Sequence, residues 1–187
     1  MKVVVILGST RDGRMGERVS KLVINEAKKI DGWDVELVDL ADINLPMYHD
    51  AALPAMMNES YSDKNVSLWS QVVKSADAYI FLTPEYNHSI PAPLKNAIDW
   101  LYPEWANKAA GIVSYSMAPY GGARAVEHLR NILARLAVAT VQTTSSIGSV
   151  HESISENGES VSEGIVATLN AELTQVDSWA KALKTIR

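Results

Sequence analysis

Short apolar runs alternate along this chain with segments whose apolar residues recur every three or four positions. Runs of five to eight residues, either apolar throughout or alternating, predict strands that bury both faces or one. A spacing of three and four predicts helices with one buried face. The predicted strands cover residues 3–7, 33–40, 78–83, 109–116 and 138–143. The predicted helices carry apolar stripes over residues 19–30, 66–76, 93–101, 123–136 and 165–183.

A chain in which strands and helices alternate is expected to form a parallel sheet with helices on both faces. No repeat or linker divides it, so we expect one α/β domain over residues 1–187. Residues 41–62 form a long connection with prolines and apolar side chains, and such loops are commonly functional or mobile. Residues 144–160 are polar, which is typical of a flexible loop or a partner contact. Ser160 and Glu163 have the spacing of a capping box.

Composition narrows the classes of function. The formal net charge of -5 disfavours a nucleic-acid partner, because phosphate binding needs a cationic face. The absence of cysteine excludes disulfides, thiol catalysis and cysteine-ligated metals, and it leads us to expect a cytoplasmic protein. The four histidines lack ligand spacing, so no metal site is expected. No stretch approaches the length of a membrane span, so no membrane partner is expected either.

Ligands of an open parallel sheet bind beyond the carboxyl ends of its strands. The first strand is followed by GSTRDGRMGE, residues 8–17. Its glycines are spaced as in a nucleotide-triphosphate loop, but Arg14 and Met15 stand where that loop needs Lys and Ser or Thr. Hydroxyls, free N–H groups and a helix N-terminus still suit a single phosphate, and Arg11 adds a charged contact. A glycine turn with solvated arginines explains the same residues equally well.

Two further loops follow strands of the same sheet edge. Residues 83–100, TPEYNHSIPAPLKNAIDW, form a proline-stiffened turn with the flat side chain of Tyr86, which suits a planar heterocycle. Residues 114–125, SYSMAPYGGARA, contain Gly121 and Gly122, which let the backbone approach a ligand closely. Each loop alone is also explained as a turn before a helix. Together, the three loops favour a ligand with one phosphate and a flat polar ring, and flavin mononucleotide (FMN) has both.

The three motifs resemble those of the NADPH-dependent FMN reductase family of flavodoxin-like proteins. GSTRDGRMGERV resembles the family's phosphate loop, PEYNHSIPAPLKNAIDWL its most specific signature, and SYSMAPYGGARAVEHLR its third flavin loop. Their order and spacing cover residues 3 to about 141. The chain departs from the family at Ala92 and at residues 116–119, where glycine is common. The resemblance implies a flavodoxin-like three-layer sandwich, with five parallel strands in the order 2-1-3-4-5 and helices on both faces.

The resemblance also implies a function. Hydride would pass from NADPH or NADH through FMN to a small-molecule acceptor such as a flavin, quinone, azo compound or metal ion. No catalytic side chain is implied, because the chemistry is the cofactor's. A homodimer or homotetramer is implied, with neighbouring subunits bordering the flavin.

The same resemblance implies three groups of FMN-binding residues. The phosphate of FMN would be bound by the side chains of Ser9 and Arg11 and by the backbone of Arg14, Met15, Gly16 and Glu17. The edge of the ring would meet Pro84, Glu85, Tyr86 and Asn87, largely through backbone. The remaining side would be lined by Ser114, Tyr115, Gly121 and Gly122.

Two other classes of function stay open on the sequence. One is a flavodoxin-like electron carrier without nicotinamide chemistry of its own, although such carriers tend to be more acidic than this chain. The other is a regulatory or interaction protein that uses the fold without flavin. Oxidation of NAD(P)H by the purified protein separates a reductase from a carrier, and a lack of FMN uptake indicates the third class.

Overall fold

A parallel sheet forms the centre of the molecule, as the alternation of elements predicts. The computed structural model describes all residues, 1–187. The strands are β1 (Lys2–Leu7), β2 (Asp34–Asp39), β3 (Ala78–Pro84), β4 (Lys108–Tyr115), β5 (Val138–Thr140) and β6 (Ser145–Ile147). Their order is β2-β1-β3-β4-β5, with β6 also paired to β4, and every pair is parallel. The flavodoxin-like order implied by the resemblance is therefore confirmed.

Helices cover both faces of the sheet. They are α1 (Gly16–Ala27), α2 (Leu40–Ile43), α3 (Lys64–Ser75), α4 (Ala92–Asp99), α5 (Ala123–Arg135), α6 (Val150–Ser153) and α7 (Glu163–Leu183). One apolar core lies under α3, α4 and α5, and a second lies under α1 and α7. None of the helices combines the length and the hydropathy that a membrane span requires. One domain over the whole chain stays a prediction, which the single sheet with a core on each face supports.

The fifth strand differs from the sequence prediction. The pattern predicts one strand over 138–143, but β5 ends at Thr140 and β6 begins at Ser145, and both pair with β4. Arg130 of α5 donates hydrogen bonds to four oxygen atoms of Thr140–Thr144, at 2.6 to 3.1 Å. Two of these acceptors are the backbone carbonyls of Val141 and Gln142, so a side chain, rather than a neighbouring strand, satisfies them where the segment leaves the sheet.

Glu172 of α7 lies on the other face of the sheet and binds backbone groups at the break between β5 and β6. Its carboxylate accepts hydrogen bonds from the backbone N–H groups of Ile112, at 2.5 Å, and Ser145, at 2.8 Å. Glu172 is fully buried. Burial raises the pKa of its carboxyl to about 7, although the N–H donors and the charge of Arg130 oppose the rise.

Two further expectations from the sequence are wrong. The N-cap of α7 is Ser162 and its side chain makes no cap hydrogen bond, whereas Ser160 bonds locally to the backbone of Ser162. The predicted capping box is therefore absent. Residues 144–160 do not form a flexible loop, since they contain β6 and α6. Three of their side chains are buried in the core under α1 and α7: Ile147, Val150 and Ile154.

Glu172→Gln tests how the buried carboxyl affects stability. The folded-state pKa of Glu172, about 7, lies above its ordinary value of 4.5, so the folded chain binds an extra proton between these pH values. The stabilisation is complete below pH 4.5 and is lost as the pH rises through about 7, by up to about 3 kcal/mol. Relative to Glu172→Gln, the wild type should therefore lose free energy of unfolding across this range. Denaturant unfolding at several pH values measures it.

Glu127→Gln is the matched control for this experiment, because Glu127 is exposed on α5. Its pH dependence should match that of the wild type. The same pH dependence in all three proteins would contradict the assignment of the titration to Glu172.

Candidate functional site

A cavity of about 290 Å³ opens at the carboxyl edge of the sheet, among the loops that follow β1, β3 and β4. Seven of the residues predicted from the sequence line it: Arg11, Arg14, Met15, Pro84, Glu85, Tyr86 and Tyr115. Seven others are not part of the lining: Ser9, Gly16, Glu17, Asn87, Ser114, Gly121 and Gly122. The three loops meet at one place because the carboxyl ends of parallel strands share one edge.

The loop after β1 is joined to the turn after β3 by Tyr86. Ser9 is fully buried, and its Oγ lies 2.8 Å from Tyr86 Oη. Arg11 Nε donates to the same phenol oxygen at 3.3 Å. Arg11 is otherwise exposed, and its guanidinium makes no other hydrogen bond within the chain. Its charge is therefore available to an anion in the cavity.

Arg14 stabilises the loop after β1. Its Nη1 donates to the carbonyl of Ser9 at 2.6 Å, and its Nη2 pairs with Asp39 at the end of β2. Only 10% of the Arg14 side chain is exposed, so Asp39 largely neutralises a buried charge. The side chain of Arg14 thus fixes the loop against β2, which is a structural role that the sequence does not reveal.

α1 begins at the edge of the cavity, because its N-cap residue, Met15, belongs to the lining. The N-cap residue, Met15, provides no side-chain cap. The N–H groups of Gly16 and Glu17 have no acceptor within the chain, and the helix dipole makes them a favourable place for an anion. Glu17 is exposed and lies 3.4 Å from Arg14 Nε. A Cβ atom at Gly16 would lie 2.3 Å from Tyr115 Oη, so glycine is required there.

The turn after β3 is a two-residue hairpin. Tyr86 N donates to Ser89 O at 2.9 Å, and Ser89 N donates to Tyr86 O at 3.0 Å. The two residues between them, Asn87 and His88, have φ angles of 50° and 67°. Positive φ at both positions is typical of a type I′ turn, for which asparagine is favoured. Asn87 therefore shapes the turn, and its exposed side chain lies outside the cavity lining.

Glu85 joins this turn to α5. Its carboxylate accepts hydrogen bonds from Arg124 Nε at 2.7 Å and from the backbone N–H of Arg124 at 3.1 Å. The N-cap of α5 is Gly122, which has no side chain, so Glu85 caps the helix from the neighbouring loop. Burial acts to raise the pKa of Glu85, but the hydrogen bonds and charge of Arg124 outweigh it and hold the pKa below its ordinary value. Glu85 is therefore ionised and paired at neutral pH.

The residues predicted near the end of β4 separate into two groups, and only Tyr115 lines the cavity. Ser114 Oγ lies 3.0 Å from Ser146 Oγ, so it links β4 to β6. Gly121 and Gly122 have φ angles of 61° and 83°. A Cβ atom on Gly121 would lie 2.7 Å from the carbonyl carbon of Ser146. The close approach that Gly121 permits is thus to β6, rather than to the cavity.

Five lining residues were not predicted from the sequence: Ser116, Met117, Ala118, Arg124 and Val150. The loop after β4 is held against the segment after β6 by hydrogen bonds from Ser116 N to Ile147 O, at 3.1 Å, and from Val150 N to Ser116 O, at 3.0 Å. The position of Arg124, two residues after the glycine pair, was a usable signal. No local pattern marks Val150, because β6 brings it to the cavity.

The residues present fit FMN. Three buried side-chain N or O atoms in the chain lack a hydrogen-bond partner, and two of them, Arg14 Nε and Tyr115 Oη, belong to residues that line this cavity. An unpaired buried polar atom is costly and needs an explanation, such as a polar ligand. Together with Arg11 and the N-terminus of α1, these donors suit a phosphate. Apolar side chains, such as Pro84 and Met117, also belong to the lining and suit a flat ring.

Comparisons with known proteins agree with this fit. The sequence model of the NADPH-dependent FMN reductase family matches residues 1–152. An NAD(P)H-dependent FMN reductase of Schizosaccharomyces pombe is 35% identical over 142 residues, which cover 76% of this chain and 70% of that protein. A quinone reductase of Escherichia coli is 32% identical over 191 residues, which cover 98% of this chain and 97% of that protein.

A solved structure shows the same fold. It is FerB from Paracoccus denitrificans, described as a flavoenzyme NAD(P)H:(acceptor) oxidoreductase. The match covers 98% of this chain and 97% of FerB, with a TM-score of 0.74 and 24% identity, so the likeness bears on the fold alone.

The family match contains all three loops that border the cavity. The two relatives compared by sequence are named as reductases, which gives no support to an electron carrier. The chain therefore belongs to the NADPH-dependent FMN reductase family.

Proposed function

We propose that this chain is an FMN-dependent oxidoreductase that oxidises NADPH or NADH and reduces a small-molecule acceptor at the cavity. Membership of the family makes it an oxidoreductase that uses FMN. The observation that carries the assignment to this cavity is the convergence of donors there. Arg11, the N-terminus of α1 and the buried hydroxyl of Tyr115, which has no hydrogen-bond partner, lie where three loops meet the carboxyl edge of the sheet.

The phosphate of FMN is proposed to lie against Arg11 and the N-terminus of α1. Ser9, which is fully buried outside the lining, is proposed to support the loop after β1 through Tyr86. The ring is proposed to lie against Pro84 and the turn that follows it. The N–H and carbonyl of Tyr86 are already paired with Ser89, so the backbone N–H groups left for the ring edge are those of Glu85 and Asn87. Tyr86 then serves the site through its position and its phenol, rather than through its backbone.

Bound FMN would supply the hydride and electron chemistry. The chain's own residues bind and orient the reactants, and none of them is required as an acid or base. Arg11 is the one cation of the lining whose charge is not compensated by a carboxylate, because Arg14 pairs with Asp39 and Arg124 pairs with Glu85. The site therefore keeps a net positive field that favours an anionic cofactor and negative charge on a reduced ring.

The acceptor is proposed to be a flavin or a quinone, with azo compounds and metal ions as further acceptors of the same site. Two features support a small planar acceptor. Met117 borders the cavity and is 57% exposed, so an apolar side chain is accessible there to an acceptor. The relatives described above are named as an FMN reductase and a quinone reductase.

A homodimer or homotetramer in the cytoplasm is part of the proposal. The long connection after α2 exposes three large apolar side chains, Met47, Leu53 and Met56, by 59 to 72%. Exposed apolar side chains on one segment are typical of a contact with another protein surface. The absence of cysteine supports the cytoplasm, where thiols are kept reduced and disulfides are rare.

Arg11→Ala tests the proposed site. Loss of one charged hydrogen bond should weaken FMN binding by about 1.5–3 kcal/mol. Fluorescence titration with FMN measures the affinity, and NADPH oxidation with a soluble quinone should need a correspondingly higher FMN concentration. Arg135→Ala, at the far end of α5, is the matched control and should leave FMN affinity unchanged.

Two outcomes of this experiment would count against the proposal in different ways. Unchanged FMN affinity in Arg11→Ala would remove Arg11 from the site. A wild type that takes up FMN but does not oxidise NADPH or NADH with any of the proposed acceptors would contradict the proposed function itself.

Replacement of both Leu53 and Met56 by glutamate tests the proposed assembly. The added charges should separate the subunits, because an apolar contact cannot solvate them. Sedimentation velocity should show a dimer or tetramer for the wild type and a smaller species for the variant. Val161→Glu, which changes an exposed apolar residue elsewhere on the surface, should not alter the assembly. A monomeric wild type would refute this part of the proposal.

A further inference from the structure

Tyr115, the last residue of β4, buries a hydroxyl group that has no partner. The residue is only 3% exposed, and its Oη makes no hydrogen bond within the chain. The other fully buried tyrosine, Tyr79, shows the usual arrangement, because its Oη donates to Val73 O at 2.9 Å. A phenylalanine would fill the position of Tyr115 without an unpaired hydroxyl. The hydroxyl therefore needs an explanation other than packing.

The hydroxyl of Tyr115 is directed at the first turn of α1. An ideal Cβ on Gly16 would lie 2.3 Å from this oxygen, so the hydroxyl occupies the space that a side chain at the start of α1 would take. α1 is a helix of twelve residues whose N-terminus has no side-chain cap. Two independent features thus point to a ligand at one place: a positive helix end, and a buried hydroxyl aimed at it.

The charges around Tyr115 favour an anion. Arg11 and Arg14 both line the same cavity, and the only carboxylate among the groups that influence Tyr115 is Asp39, which is paired with Arg14. Burial, followed by the influence of Tyr86, raises the pKa of the Tyr115 phenol. The phenol consequently keeps its proton at neutral pH and can act as a hydrogen-bond donor.

We infer that Tyr115 Oη donates a hydrogen bond to the phosphate of FMN and thereby helps the chain to select FMN over riboflavin. This inference rests on the proposed function, since it assumes that the cavity binds a flavin. A hydroxyl donor, a guanidinium and a helix N-terminus together match the oxygens of a phosphate monoester. Riboflavin, which lacks the phosphate, gains nothing from a donor at this place.

Tyr115→Phe removes the hydroxyl and keeps the ring. The dissociation constant of FMN should rise about 10-fold or more, because a hydrogen bond to a charged group is lost. The dissociation constant of riboflavin should stay within about 2-fold, and the thermal midpoint should not fall, since the lost hydroxyl had no partner. Tyr102→Phe is the control, because Tyr102 is a tyrosine outside the cavity whose hydroxyl also makes no hydrogen bond within the chain. It should change none of these quantities.

The outcomes separate this inference from the proposed function. Equal weakening of FMN and riboflavin binding would place the hydroxyl at the ring or the sugar-alcohol chain and overturn the inference. Unchanged FMN affinity in Tyr115→Phe, with weakened binding in Arg11→Ala, would also overturn it and leave the proposed function intact. A wild type that binds neither flavin would defeat the proposed function instead.

Inorganic phosphate provides a second measurement that does not depend on flavin. Millimolar phosphate should raise the thermal midpoint of the wild type and of Tyr102→Phe more than that of Tyr115→Phe. An equal rise in all three proteins would show that the hydroxyl does not contact the anion.

Discussion

The candidate site depends on two consecutive side chains that extend to different loops. Glu85 caps α5 and pairs with Arg124, whereas Tyr86 contacts Ser9 and Arg11 in the loop after β1. Both residues sit at the base of one tight hairpin turn, so the three loops are fixed relative to a single rigid element. Because loops are otherwise the most mobile parts of an α/β fold, this cross-bracing keeps the donors of the cavity in place before a ligand arrives.

The hydrogen-bond partners of the polar residues separate those that stabilise the fold from those that are free to bind a ligand. Side chains that satisfy each other build the scaffold, as Arg14 does with Asp39 and Glu85 does with Arg124. Atoms that are buried and unpaired, such as Tyr115 Oη, are the ones left for a ligand. The two arginines of the loop after β1 differ in the same way: Arg14 is paired with Asp39, whereas the exposed Arg11 is the one proposed to bind the cofactor.

Local patterns were sufficient for the central strands, because runs such as 78–83 and 109–116 are apolar enough to indicate burial on both faces. The order of the strands was implied only by the resemblance to the family. Local patterns failed where distant side chains decide the local backbone. The strand expected over 138–143 is interrupted where Arg130 binds two backbone carbonyls, and Glu172 two backbone N–H groups, that a ladder could otherwise pair. Half of the predicted site residues line the cavity, because motifs identify loops, but the partners of each side chain decide which residues face inward.

The proposed function requires that the three loops hold one FMN and that a nicotinamide nucleotide reduces it. The most direct test is anaerobic mixing of the FMN-loaded protein with NADPH, and separately with NADH, while the visible absorbance of the flavin is followed. We expect rapid loss of this absorbance with at least one of the two nucleotides, at one two-electron equivalent per bound flavin. Bound flavin that stays oxidised with both donors would contradict it.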